Sequence, residues 1–110
     1  MKLIRFGAIG KEKPGVIIEG KRYDVSSLVN DFNESFFEEN GLEKLEKALA
    51  SNPVLPQVDA AVRLGSPVAR PSKIICIGLN YVDHCKETNA PIPTEPIIFF
   101  KSTTSLCGPD

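Results

Sequence analysis

His84 is the single histidine of the chain, and Glu87 follows it by three residues in the string Asn80-Tyr81-Val82-Asp83-His84-Cys85-Lys86-Glu87. On a helix, residues three apart share one face. A carboxylate beside an imidazole fixes its tautomer and raises its basicity, which is what a general base for water needs. A short exposed helix carrying Asp, His, Lys and Glu also reads more plainly, as a solvated face with weak local pairs. What favours chemistry is the placement. The pair follows directly on the end of an apolar run, where a rigid element can aim a side chain into a cleft.

The elements around the pair are legible. Lys73 to Ile77 reads as a strand with Ile75 and Ile77 buried, stopped by Gly78. Asn80 reads as the N-cap of a short helix over Tyr81 to Thr88, with Asp83 in the acidic capping-box position. Pro91, Pro93 and Pro96 form a stiff connector to a second apolar strand, Ile97 to Lys101. Both strands are apolar at nearly every position, so both faces are expected to be covered. Cys85 is adjacent to His84, but neighbouring helical residues point about 100° apart, so no Cys–His nucleophile is implied.

Upstream the pattern is structural. Lys2 to Ala8 predicts a half-buried strand with Ile4 and Phe6 inward, and Gly10 to Pro14 a charged loop. Val16 to Glu19 and Arg22 to Val25 read as strands joined by a tight turn at Gly20-Lys21. Ser26-Ser27 starts a helical turn, and Phe36-Phe37 are expected to pack inward. Leu42, Leu45 and Leu49 give one apolar face to a helix over Leu42 to Ala50, with Glu43 and Lys47 paired outside. Eight of the nine prolines lie beyond residue 50. Asn52 to Ser72 is therefore expected to be irregular, with a short strand near Ala61 to Leu64. The domain boundary falls near Ser66 to Ser72, giving domains over 1–70 and 71–110.

Composition excludes several classes. The formal net charge is −1, from 13 basic and 14 acidic residues with no basic stripe, which argues against nucleic acid. Apolar runs are far too short for a membrane span, and the start lacks the continuous apolar region of a signal peptide, so a cytoplasmic protein is expected. Three cysteines without a C-x-x-C spacing argue against a disulfide framework or a zinc site.

The string KIICIGLNYVDHCKE, with the later PIPTEPIIFFKSTTSLCGP, resembles the fumarylacetoacetate hydrolase family, nearest its bacterial branch acting on small 2,4-diketo acids. RLGSPVARPSK and MKLIRFG extend the likeness upstream. The resemblance implies an α+β fold: a small N-terminal antiparallel β domain with short helices, then the first strands and helix of a mixed β-roll catalytic domain. It implies hydrolysis of a C–C bond in an acylpyruvate-type substrate, with His84 and Glu87 activating water, and Lys101 and Tyr81 near the substrate. An isomerase or decarboxylase on the same scaffold, or a non-catalytic assembly fragment, are the alternatives. Relatives hold Mg²⁺ or Mn²⁺ on a Glu-x-Glu pair and a later Asp, and are commonly homodimers. No Glu-x-Glu follows Lys101, so the metal ligands are expected outside this stretch and the 110 residues are expected to be inactive alone. Leu79 stands where many relatives carry arginine, which leaves open the group that binds the substrate's acid.

Overall fold

The structure is a computed structural model that describes residues 1–109. The fold is α+β, and the described residues form two compact units.

The first unit holds Met1–Pro71 together with residues 106–109. Its sheet runs in the order β4-β3-β2-β1-β5, all antiparallel, from β1 (Lys2–Phe6), β2 (Lys13–Ile18), β3 (Lys21–Asp24), β4 (Gln57–Val58) and β5 (Leu64–Gly65). Two helices, α1 (Glu34–Glu38) and α2 (Gly41–Ala50), lie between β3 and β4 in sequence. The β2–β3 turn is Glu19-Gly20, one residue earlier than expected, because Ile18 pairs with Lys21 and both turn residues have positive φ (49° and 79°). That is the two-residue geometry that matches strand twist, with Gly20 free of any Cβ penalty. The predicted loop to Pro14 ends earlier too. Pro14 sits inside β2, pairs with Arg5, and its carbonyl accepts the Val25 N–H at 3.1 Å.

Val16, Val25, Phe32 and Leu45 form the centre of the core, with Leu3, Ile18, Tyr23, Val29, Phe36, Leu49 and Leu55 packed on it. Ile4 and Phe6 are buried as expected. Leu3 is not on a solvent face, though: it pairs with Val16 and joins the core, so β1 carries apolar cover on both sides rather than one. On α2, Leu45 is buried and Leu49 packs on the core, whereas Leu42 faces solvent. Of Phe36 and Phe37 only Phe36 packs on the core; Phe37 is exposed. In the segment expected to be irregular, the short strands form at Gln57–Val58 and Leu64–Gly65.

Four charged side chains tie the outer segments to β1. Arg5 holds Asp31 through two bonds, Nε–Oδ1 at 2.7 Å and Nη2–Oδ2 at 3.0 Å. Glu12 lies 3.0 Å from Arg63 and 3.9 Å from Arg5. The Glu12 carboxyl is held below the ordinary 4.5, first by hydrogen bonding to its own backbone and then by the two arginines, against an opposing push from burial.

The second unit, Ser72–Ser105, contains β6 (Ile74–Gly78), α3 (Val82–Glu87), β7 (Ile97–Lys101) and a 3-10 turn over Thr103–Ser105. β6 and β7 make a two-stranded antiparallel ribbon, with Ile75 opposite Phe100 and Ile77 opposite Ile98. The expected burial of Ile75 and Ile77 does not hold. They are 59% and 46% exposed, and all five residues of β7 are exposed. The apolar run does form a strand, but a ribbon of two strands supplies no layer to cover it.

Candidate functional site

The candidate site is carried by α3. Its N-cap is Tyr81, not Asn80. Tyr81 has extended backbone (φ −113°, ψ 133°), and its carbonyl accepts the N–H groups of His84 (3.1 Å) and Cys85 (3.3 Å). No side chain caps this end, so the capping box read from Asn80 and Asp83 is absent. Asp83 instead sits in the first turn, where negative charge suits the helix dipole, and pairs with Lys86 at 3.3 Å. The far end closes well. Asn89 is left-handed (φ 51°), its N–H donates to the Lys86 carbonyl at 3.1 Å, and the Ala90 N–H donates to the Cys85 carbonyl at 2.9 Å. That pattern is a Schellman motif and fixes where the helix stops.

His84 and Glu87 both lie on α3 and both are exposed. Their side chains make no hydrogen bond to each other among the described residues. The Thr88 hydroxyl and N–H both bond the His84 carbonyl, at 2.8 and 3.1 Å, and so brace its backbone. Tyr81 is 74% exposed at the start of the same helix. Lys101 is elsewhere. It ends β7 opposite Ile74, whereas the β6 end that leads into α3 is Gly78, paired with Ile97. Four residues of strand, about 13 Å, separate those two ends of the ribbon. No hydrogen bond among the described residues links Lys101 to His84, Glu87 or Tyr81. Among the described residues no group of three or more His, Cys, Asp or Glu could hold a metal ion. No helix among them is long and apolar enough to cross a membrane.

Two features in and just before α3 carry no signal in the sequence. Cys85 is its one buried residue, at 2% exposure, and its thiol donates to the Leu79 carbonyl at 3.9 Å. Leu79 itself has φ 50°, a left-handed conformation that a leucine rarely adopts. Nothing in the residue type signals it. The first unit has a cavity of about 410 Å³ bordered by Val29, Asp31, Phe36, Lys44 and Leu45. It holds none of the four site residues, and Asp31 there is already committed to Arg5.

Residues 73–110 match the family model for the fumarylacetoacetate hydrolase C-terminal region. That segment contains β6, α3 and β7. The second unit is thus similar to the start of a fumarylacetoacetate hydrolase C-terminal region. The family likeness extends to the first unit. A Burkholderia multivorans protein named "putative hydrolase" is 43% identical over the whole chain, which spans 39% of that protein's length. The solved fumarylacetoacetate hydrolase of the psychrophile Exiguobacterium antarcticum matches with a TM-score of 0.66 at 32% identity, over 97% of this chain and 37% of that one. A "putative HpcE protein" from Mycobacterium smegmatis, at 23% identity and a TM-score of 0.71, shares the fold over the full chain and 39% of its own. The chain thus spans about 39% of the length of the curated relatives it matches.

Proposed function

We propose that these residues are part of a hydrolase that cleaves a C–C bond in a small 2,4-diketo acid, with His84 as the general base for water and Glu87 as its orienting carboxylate. The observation that carries this reading is the placement of both residues on α3, exposed, within the segment that matches the family model. An exposed imidazole can take a proton from water as the water oxygen attacks the carbonyl carbon. A carboxylate within reach of the other ring nitrogen stabilises the imidazolium that results. Side-chain rotation on the shared helix face brings Glu87 to that position. Tyr81, at the same end of the ribbon as the helix, is a candidate substrate contact. Lys101 is one only if substrate extends along the ribbon or the chain beyond these residues brings substrate to it.

The described residues do not fit a divalent metal, since they supply no cluster of ligands. Mg²⁺ or Mn²⁺ therefore belongs to the proposal for the full-length protein alone, as does a homodimer. An isomerase or decarboxylase would use the same substrate class, and a non-catalytic role for the 110 residues would leave His84 idle.

In the full-length protein, His84→Ala lowers kcat on an acylpyruvate by about 10²–10⁴-fold, the usual contribution of a positioned base. Steady-state kinetics with matched metal content measure this. Retention of full rate by that variant would overturn the dyad reading.

A further inference from the structure

We infer that the left-handed backbone at Leu79 is the positioning device of α3, setting which side of the helix carries His84 and Glu87. Its catalytic consequence rests on the function proposed above; its structural content does not.

Among the described residues six other than glycine have positive φ, and three of them are asparagine, whose side chain tolerates that region. Leu79 is different. Its side chain cannot bond locally to offset the crowding of Cβ against the backbone, so the surrounding chain must hold it there. It is the first residue of the two-residue gap, Leu79 and Asn80, between Gly78 at the end of β6 and the helix cap Tyr81. A turn this short leaves few ways to start a helix. At φ 50° the Leu79 carbonyl lies within reach of the Cys85 thiol at 3.9 Å. A thiol is a weak donor, so this contact marks the arrangement more than it enforces it.

Cys85 is the buried residue of the helix, and its side defines the inward face. With about 100° per residue, His84 lies about 100° from Cys85 and Glu87 about 160° from it on the same side. Whatever fixes Cys85 inward therefore fixes both candidate residues outward, within about 60° of each other. The Schellman closure holds the other end through the Cys85 carbonyl, so the two ends of the helix converge on one residue. The determinant at the first end is backbone conformation, not the leucine side chain.

That distinction is testable with Leu79→Gly, Leu79→Asn and Leu79→Val in the 110-residue chain. Glycine removes the side chain and keeps the left-handed backbone. Asparagine tolerates it, and valine keeps apolar bulk but resists it. The readouts are amide exchange at Thr88 and Ala90, which report the helix end, and the ring resonances of the one imidazole. Exchange at Val25, bonded to Pro14 in the first unit, reports whether the chain has folded. Glycine and asparagine are expected to preserve protection and ring resonances. Valine is expected to cut protection at least tenfold and to move the ring resonances. A glycine variant that behaves like valine would show that the side chain matters and overturn the inference. So would a valine variant indistinguishable from the parent chain. If valine prevents folding altogether, the glycine and asparagine variants decide: retention supports the inference, and loss overturns it. In the full-length protein, valine should lower kcat more than it changes KM, and glycine should restore kcat. If His84→Ala keeps full rate while the exchange pattern holds, the dyad fails and the positioning role stands.

Discussion

β2 of the first unit and β7 of the second are both strands with consecutive apolar residues, yet they end with opposite burial. Val16 is fully buried between β1 and β3, with Phe32 and Leu45 in the same core. Phe100 is 67% exposed on a ribbon with one neighbouring strand. The difference lies in what surrounds each strand rather than in its composition. β2 has a partner on each edge and helices nearby in the chain to supply a second layer. β7 has one edge partner and no layer among the described residues. Apolar runs predict that a strand forms; they do not say that its cover is present.

The sharpest way to test that contrast is to truncate one phenylalanine in each unit. Phe32→Ala is expected to destabilise the first unit by about 3–5 kcal/mol, the usual range for a buried aromatic in a core that cannot collapse. Phe100→Ala is expected to stay within about 0.5 kcal/mol, as exposed positions do. Chemical denaturation followed by near-ultraviolet and far-ultraviolet signals checks both. Equal costs would mean that the ribbon is covered in solution.

Cover from another molecule is the next possibility to measure. An apolar ribbon with open edges recruits partners, so the 110-residue chain is expected to associate as concentration rises. Light scattering should show this, and paired Ile98→Lys and Phe100→Lys changes should reduce it while the first unit keeps its melting temperature. A single monomeric species at high concentration would remove this contrast between the units.

The smallest expected effect is confined to the first unit and concerns pH. Glu12 titrates below 4.5 in the folded chain, so its contribution to stability is present above that value and is lost as pH falls through the lowered one. The denaturation midpoint of the first unit should fall as pH drops below 4.5, and Glu12→Gln should flatten part of that slope. The amide exchange of α3 should not follow it. An unchanged slope in Glu12→Gln would mean that other carboxylates carry the acid sensitivity.

Much of this architecture was readable beforehand, and the misses share causes. Ile4 and Phe6 inward, the Glu43–Lys47 pair at 2.6 Å, and strands at both ends of the second unit all follow from period and spacing. Phe32 is not legible as a core residue because the stretch around it has no sustained period. Its burial comes from long-range packing next to the Arg5–Asp31 ion pair, twenty-six residues apart in sequence. A local signal was available for α1: Asn33 followed by an acidic residue, and its side chain does accept the Phe36 N–H at 3.1 Å. At the candidate site, the helix and its shared face were legible from His84 and Glu87. The cap was not, because Asn80 is a better capping residue by type than Tyr81 and the geometry of the preceding turn decided otherwise. That turn depends on Leu79, whose residue type argues against the conformation it adopts.

Gly108 has a consequence for how the chain can be cut. A side chain at that position would collide with the Leu64 carbonyl and the Gly65 backbone, so the segment after Ser105 lies close against β5 of the first unit. The polypeptide leaves that unit at Pro71 and has rejoined it by Leu106. In connectivity, Ser72–Ser105 is thus flanked on both sides by segments of the first unit. A protease that nicks the proline-rich connector around Pro91 to Pro96 would leave this returning segment, which carries β7, joined to the rest only by its packing on β5 and by the β6–β7 ladder. A nicked chain that stays together in native buffer and separates in denaturant would carry that signature, and a bulky residue in place of Gly108 would weaken the hold without touching the β6–β7 ladder.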